Sequence, residues 1–298
     1  MTMTLYMRTV VVLLSLATLL FGQDSKARPA SAPTLRYSSG KVTVQGGKAT
    51  INLPQGYRYL QQHDARHVVE QLWGNGSRPF VLGMIVPDGI EVEDPESWAI
   101  VVTYDDSGHV DDSDAKSLDF DALLKQMQEA SREENEQERK AGHRALQLVG
   151  WAEPPHYDSN QKKVYWAKRL LADGSPRETL NYSIRFLGRS GVLEMIAVGG
   201  VDQLAVIAQG AKSVIPGTEF TPGNRYEEFD SGIDKVAAYG IGGLIAGGIL
   251  AKAGLFKVIG LFFVKFAKPL IIAGVALVAL LVRMFGMKKK DASSPSAH

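Results

Sequence analysis

Uncharged apolar stretches stand at both ends of this chain, and they restrict what it can fold into more than any other feature. Residues 9–22 form one such run, preceded by Arg8 and followed by polar residues at Gln23, Asp24 and Lys26. A charged start, an apolar run of about 7–15 residues and a return to polarity is the layout of a secretory signal peptide. Residues 1–22 are therefore read as a signal peptide, with Gly22 as a small residue for cleavage. An uncleaved anchor helix is the competing reading of the same run. Residues 23–36, rich in Ser, Pro and Ala, read as a flexible leader.

At the other end, residues 236–251 and 269–282 carry no charge, while Lys252, Lys257, Lys265 and Lys268 lie between them among apolar neighbours. Each run falls short of the ~20 residues a bilayer span requires. A lysine near a helix end can reach the interface with its ammonium, so each run can be extended by a turn. Two spans, about 236–256 and 267–287, are expected to form a transmembrane helical hairpin, followed by a polar basic tail over 288–298. Two alternatives stay open. One keeps only the second span and lays 253–268 on the membrane surface; the other buries the whole segment as core helices. Connection and tail carry similar positive charge, so the positive-inside rule does not orient the hairpin. Gly243 and Gly247 have the small-xxx-small spacing that lets helix backbones approach closely in lipid.

Between these ends, residues 37–235 read as one globular domain. Gly46-Gly47 separates two strand-like stretches, a hairpin signal. Asp64 is placed to cap a helix running to Trp73, with Ala65, Val68, Val69 and Leu72 on one face, and Gly74 stops it. Residues 80–86 and 98–104 are nearly continuous apolar runs of strand length. Phe120, Leu123, Leu124 and Met127 give the stripe of an amphipathic helix, whose charged continuation ends at Gly142. A meander follows, with short and long strands over 145–149 and 163–171. Over 179–187, Leu180, Tyr182, Ile184 and Phe186 alternate with Asn181, Ser183 and Arg185, predicting one buried and one wet face. A last helix follows Asp202. Strand pairs separated by single helices imply an α+β fold, a largely antiparallel sheet with helices packed on it.

The 33 Lys and Arg nearly balance the 32 Asp and Glu, which argues against a general nucleic-acid binder. The absence of cysteine removes thiol nucleophiles, iron–sulfur centres and cysteine zinc sites. Neither a phosphate-cradling glycine loop nor a G-x-S-x-G elbow is present. His63, His67 and Glu70 share one helix face and could ligate a metal, although the HExxH order is missing and a solvated polar face opposite the apolar stripe accounts for them better. The acidic stretch over 104–121 fails the EF-hand pattern, since the sixth residue from Asp106 is Asp111 and from Asp111 is Lys116. Residues 150–158 are richer: aromatic, histidine and carboxylate groups around Pro154-Pro155 are expected in a loop between strands, where binding sites concentrate. With Trp166 on the next strand, Trp151, His156 and Tyr157 make the candidate binding surface.

Several stretches resemble the bacterial membrane-anchored proteins known as domain of unknown function 2167. They are LWGN (72–75), VLGMIVP (81–87), SWA (97–99), LVGWAEPPHYD (148–158), YWAK (165–168), LNY (180–182) and DKVAAYG (234–240). Gly76 stands where a proline commonly follows LWGN, and the histidines of HDARH lie outside the pattern. The resemblance implies an export signal, a soluble domain and a hydrophobic C-terminal region, and it supplies no activity. The expected function is a membrane-anchored, extracytoplasmic binding or scaffold module of the bacterial envelope. It would face the periplasm from an inner membrane if the cell is Gram-negative, need no cofactor, perform no catalysis, and contact the bilayer and an envelope protein or a second copy. The alternatives are a metal-dependent hydrolase using His63, His67 and Glu70, and a membrane-complex subunit acting through its C-terminal hairpin.

Overall fold

The computed structural model describes residues 34–247, apart from 76, 95, 141 and 143. The expected signal peptide, most of the leader, the anchor beyond residue 247 and the basic tail lie outside the described residues. In chain order the strands are β1 (Tyr37–Ser38), β2 (Lys41–Val44), β3 (Ala49–Asn52), β4 (Tyr57–Gln61), β5 (Val81–Pro87), β6 (Ala99–Asp105) and β7 (His109–Asp111), then β8 (Leu146–Asp158), β9 (Lys163–Ala172), β10 (Thr179–Leu187), β11 (Val192–Gly200), β12 (Thr218–Phe220) and β13 (Val236–Gly240). The helices are α1 (Gln62–His67), α2 (Phe120–Lys140), α3 (Leu204–Val214) and α4 (Ile241–Ala246).

Eight strands form the main sheet in the order β1-β4-β5-β6-β11-β10-β9-β8, with every described neighbouring pair antiparallel. The α+β expectation holds for the described residues. On one face, Tyr59, Ile85, Ile100, Tyr182, Ile184 and Met195 pack with α3 and with the small β12-β3-β2 sheet. The opposite face carries two apolar patches. One lies beneath α1, with Leu60, Met84, Val101 and Ile196; the other lies beneath α2, with Leu148, Val164, Trp166 and Met127.

The two apolar runs read as strands are β5 and β6, both central. The Gly46-Gly47 hairpin forms, but its turn takes in Gln45, whose φ of 51° joins those of the two glycines in the left-handed region. Asp64 lies inside α1 and accepts the Arg36 N–H at 3.0 Å, tying the incoming chain to the helix instead of capping it. Leu72 is exposed because the helix widens to a π turn over Val68–Leu72 and rotates it off the buried face. The largest departure concerns β10. Asn181, Ser183 and Arg185, expected to face water, are buried together with Glu194 and Thr103.

A second departure lies at residue 236, where the first membrane span was expected to begin. Val236–Gly240 is a strand paired in parallel with β7, and α4 follows for six residues with Ile241, Leu244 and Ile245 buried in the α2-side core. Gly243 packs against Tyr239 of its own chain: a Cβ there would come 2.6 Å from the Tyr239 Cβ. Gly247 ends α4 at φ 68°, the left-handed conformation that glycine adopts without strain. Among the described residues no helix is long and apolar enough to cross a membrane.

Asp114 fixes this strap. Its two carboxylate oxygens accept the N–H groups of Ile241 at 2.9 Å and Gly242 at 3.0 Å, the orphan donors at the start of α4. Asp114→Ala is expected to cost about 0.5–2 kcal/mol, the usual range for a lost cap. Hydrogen exchange should show the Ile241 and Gly242 amides losing protection while the main sheet keeps its own. Unchanged protection would mean that β13–β7 pairing alone holds the strap.

Candidate functional site

The stretch over 150–158 is not a loop. It forms most of β8, a thirteen-residue edge strand paired with β9 from Leu146↔Ala172 to Asp158↔Lys163. Pro154 and Pro155 are tolerated because, among the described residues, β8 has no partner on its outer side and because its register shifts between Glu153 and His156. A proline lacks the N–H that a central strand would need. At a bulged edge that loss is harmless, and it discourages pairing with another chain.

The four candidate aromatic and histidine residues separate. Trp166 is 1 % exposed and belongs to the core beneath α2, so it cannot join a surface. Trp151 is half-buried, and its indole N–H donates to the Phe120 carbonyl at 3.3 Å, fastening the start of α2 onto β8. Tyr157 is half-buried and His156 exposed, with the His156 ring 4.9 Å from that of Tyr165.

His156 and Tyr157 line a groove of about 590 Å³ between the end of β8, the β8–β9 turn and the segment joining β7 to α2. Asp112, Ser113, Lys116, Pro155 and Lys162 complete its walls with Phe120. On its floor the Asp112 carboxylate accepts the Tyr157 hydroxyl at 2.5 Å and the Lys162 ammonium at 2.7 Å, both on Oδ2. Burial raises the Asp112 pKa, but hydrogen bonds from Lys162 and Tyr157, with the Lys162 charge, outweigh it and hold the group below the usual range. Burial and the Asp112 carboxylate push Tyr157 upward, so its phenol stays a proton donor at neutral pH. The Lys162 ammonium also lies 4.7 Å from the centre of the Tyr226 ring, whose hydroxyl donates to the Val110 carbonyl at 3.0 Å. Lys162 separates the groove from a smaller cavity of about 270 Å³, lined by Phe186, Phe220 and Arg225 among others. Exposed Lys116 and His156 stand on the rim, so the groove offers donors around a charge that is already paired.

Asp112, Lys116 and Lys162 were not singled out from sequence. The acidic stretch over 104–121, which shows no calcium pattern in the sequence, has structural work instead: Asp105 accepts the Tyr239 hydroxyl, Asp112 holds the groove floor and Asp114 caps α4. Lys162 is placed by its turn. The Asp158 carboxylate accepts the N–H groups of Asn160 and Gln161 at 2.9 and 3.0 Å, and Lys162 then takes a φ of 52°. The D-S-N-Q run was the available signal, since an aspartate favours such turns.

The histidine set on α1 does not converge. The His63 ring bonds the Asp64 carboxylate at 2.8 Å, while Glu70 accepts Arg66 Nε at 3.0 Å and the Arg78 N–H at 2.6 Å. Glu70 thereby fastens α1 to the entry of β5, and those contacts hold its carboxyl below the usual range. Among the described residues no group of three His, Asp or Glu side chains could hold a metal.

The model of a protein family of unknown function, DUF2167, matches residues 36–276. The chain belongs to this family. The DUF2167 match takes in the whole main sheet, the groove and the strap through α4. No curated protein sequence matches the chain. Among solved structures, the chain is similar at 11% identity and a TM-score of 0.33 to the solution structure of cyanobacterial PsbP (CyanoP) from Synechocystis sp. PCC 6803, with 66% of this chain and 98% of that one covered. The crystal structure of the Saccharomyces cerevisiae Ran-binding protein Mog1p gives the same identity and TM-score, with 66% of this chain and all (100%) of that one covered.

Proposed function

We propose that this DUF2167 protein is a membrane-anchored, extracytoplasmic binding or scaffold module, and that the groove at Asp112, His156 and Tyr157 receives its partner in the envelope. The observation that carries the reading is a groove whose internal charges are satisfied while its rim donors stay open. Asp112 is engaged twice on one oxygen, and Tyr157 and Lys162 both turn their donors to it. Such a floor is rigid and already neutralised, which suits recognition better than proton transfer. Exposed Lys116 and His156 are the groups a partner would meet first. The anchoring half of the proposal rests on the apolar segment beyond α4 in the sequence, above all the uncharged run over 269–282. Tethering raises the effective concentration for other membrane proteins, so a weak groove contact would suffice.

The test is crosslinking in intact cells, with mass spectrometry of what co-purifies with the full-length chain. A saturable membrane partner is expected, and its recovery should fall about tenfold or more in Lys116→Glu/His156→Glu, since charge changes at a rim slow association and expel a matched partner. Equal recovery from wild type and variant would remove the groove from the proposal. Recovery of the full-length chain in the soluble fraction after cell lysis would remove the anchor.

A further inference from the structure

The strap that leads into α4 is held by a buried histidine that the groove does not use. His109, the first residue of β7, is 8 % exposed. Its ring stacks on that of Phe229, 4.0 Å between centres and 17° between planes, and packs on that of Tyr226 at 4.2 Å and 32°. Its main chain holds the strap: the His109 N–H donates to the Lys235 carbonyl at 2.8 Å, and His109 pairs with Val236 where the parallel β7–β13 ladder begins. The approach is tight, since at Gly108, with φ 121°, a Cβ would come 2.5 Å from the Lys235 oxygen. One residue thus joins β7, the strap and the 226–229 segment.

The ring has one unanswered atom. Nδ1 of His109 is buried without a hydrogen-bond partner. Hydrogen bonding to the backbone at Gly188 and Arg189 favours a proton on the other nitrogen, Nε2, which leaves a bare lone pair on Nδ1. Every element around the ring carries charge. Asp111 and Asp112 follow it on β7, Arg189 lies on the β10–β11 turn, Asp234 and Lys235 lie on the strap, and Glu227 and Glu228 lie beside the two aromatics. The carboxylates are engaged elsewhere. Asp111 accepts the Ser113 N–H at 2.9 Å, Asp112 holds Lys162 and Tyr157, Asp234 accepts Arg189 Nε at 2.7 Å, Glu228 accepts the Arg225 N–H at 2.7 Å, and Glu227 is exposed. Burial is the largest influence on the imidazole and lowers its pKa, against the backbone contacts and the charges of Asp111 and Asp112.

We propose that His109 is an acid-sensitive latch: a proton added at Nδ1 finds no acceptor inside the aromatic stack, the ring leaves it, and the strap over Val236–Gly240 parts from β7. A buried donor left unpaired costs about 1–3 kcal/mol, enough to open a short two-strand ladder locally. The sign follows from burial. A histidine with a lowered folded pKa binds fewer protons when latched than when open, so the latch is complete above the ordinary histidine range and weakens as pH falls through it. Release also frees Tyr226, whose ring lies 4.7 Å below the Lys162 ammonium at the edge of the groove. The latch stands on the strap contacts alone and holds whatever the groove receives.

The test is hydrogen exchange of the detergent-solubilised full-length chain at pH 7.5 and pH 5.5, corrected for the intrinsic pH dependence of amide exchange. Opening of 236–240 is expected to rise severalfold in acid, with about tenfold the ceiling for one histidine that opens to its ordinary pKa of ~6.5. The main sheet should keep its protection. In His109→Phe, which keeps a ring in the stack and removes the titration, the acid-dependent rise should vanish. His109→Gln serves as the test should that variant misfold. A rise that persists in the variants would overturn the latch, as would no rise in wild type. A rise shared evenly with the main sheet would place the acid sensitivity elsewhere and overturn it too.

Discussion

Replacing Arg185 by methionine is expected to destabilise the domain by about 3–5 kcal/mol, the range for breaking a buried ion pair from one side. Arg185 and Glu194 are 7 % and 8 % exposed and lie on central strands β10 and β11. Methionine preserves much of the arginine stem's volume, so packing loss is small and the effect reports the charge. Glu194 would be left with Thr103 as its hydrogen-bond partner and Lys168 as its nearest remaining cation in the cluster. Its pKa is already raised by burial, against the pull of Arg185. Without Arg185 it rises further. A carboxylate with a raised folded pKa binds more protons in the folded state than in the unfolded one, so stability falls as pH climbs from the ordinary glutamate range through the folded value. The variant should therefore lose more stability at pH 8 than at pH 5, and more steeply than wild type. Denaturant midpoints at the two pH values measure this. Arg185→Met/Glu194→Met should recover most of the loss, since a buried pair replaced by apolar residues is often neutral. A double variant no better than the single one would mean that shape at this position matters more than charge.

That cluster also marks where the sequence was hardest to read. Alternation along β10 identified the strand and the face of Leu180, Tyr182 and Ile184 correctly, because period two follows from backbone geometry alone. It could not say what covers the second face. Polar residues at alternate positions normally mean water, and here they are buried, Arg185 pairing with Glu194 on the next strand and Thr103 donating to Glu194 from the one after. Continuous apolar runs gave β5 and β6 their central places for a simpler reason: a strand covered on both sides has no polar face to reveal. The strand over Val236–Gly240 escaped for the reverse reason. VAAYG carries no charge and continues into IGGLIA, so hydropathy alone joined it to the apolar segment. What makes it a strand is β7, a partner more than a hundred residues earlier in the chain.

Trp166→Ala is expected to cost about 3–5 kcal/mol, the range for deleting a large aromatic side chain from a packed core, whereas His156→Ala should change stability by less than about 0.5 kcal/mol. Trp166 is among the largest fully buried side chains of the described residues and packs with Val164, Met127 and Leu148. His156 is exposed on the edge strand, touching Tyr165 through its ring. The sequence groups the two on one candidate surface, His156 beside Pro154-Pro155 and Trp166 on the next strand. Alternation places them instead: on β9, Tyr165 and Trp166 point to opposite faces, and His156 pairs with Tyr165 in the register. Trp151 should fall between the two, since it loses half-buried packing and the bond to the Phe120 carbonyl that seats α2. Partner capture should follow the opposite order, with His156 substitutions reducing it in a folded protein and Trp166→Ala reducing it only as far as the fold is lost. Thermal unfolding and crosslinking yield on the same three variants separate these contributions. If Trp166→Ala kept the wild-type midpoint and still lost capture, the tryptophan would have to be exposed in the working protein, and the division of β8 and β9 into a core side and a groove side would fail.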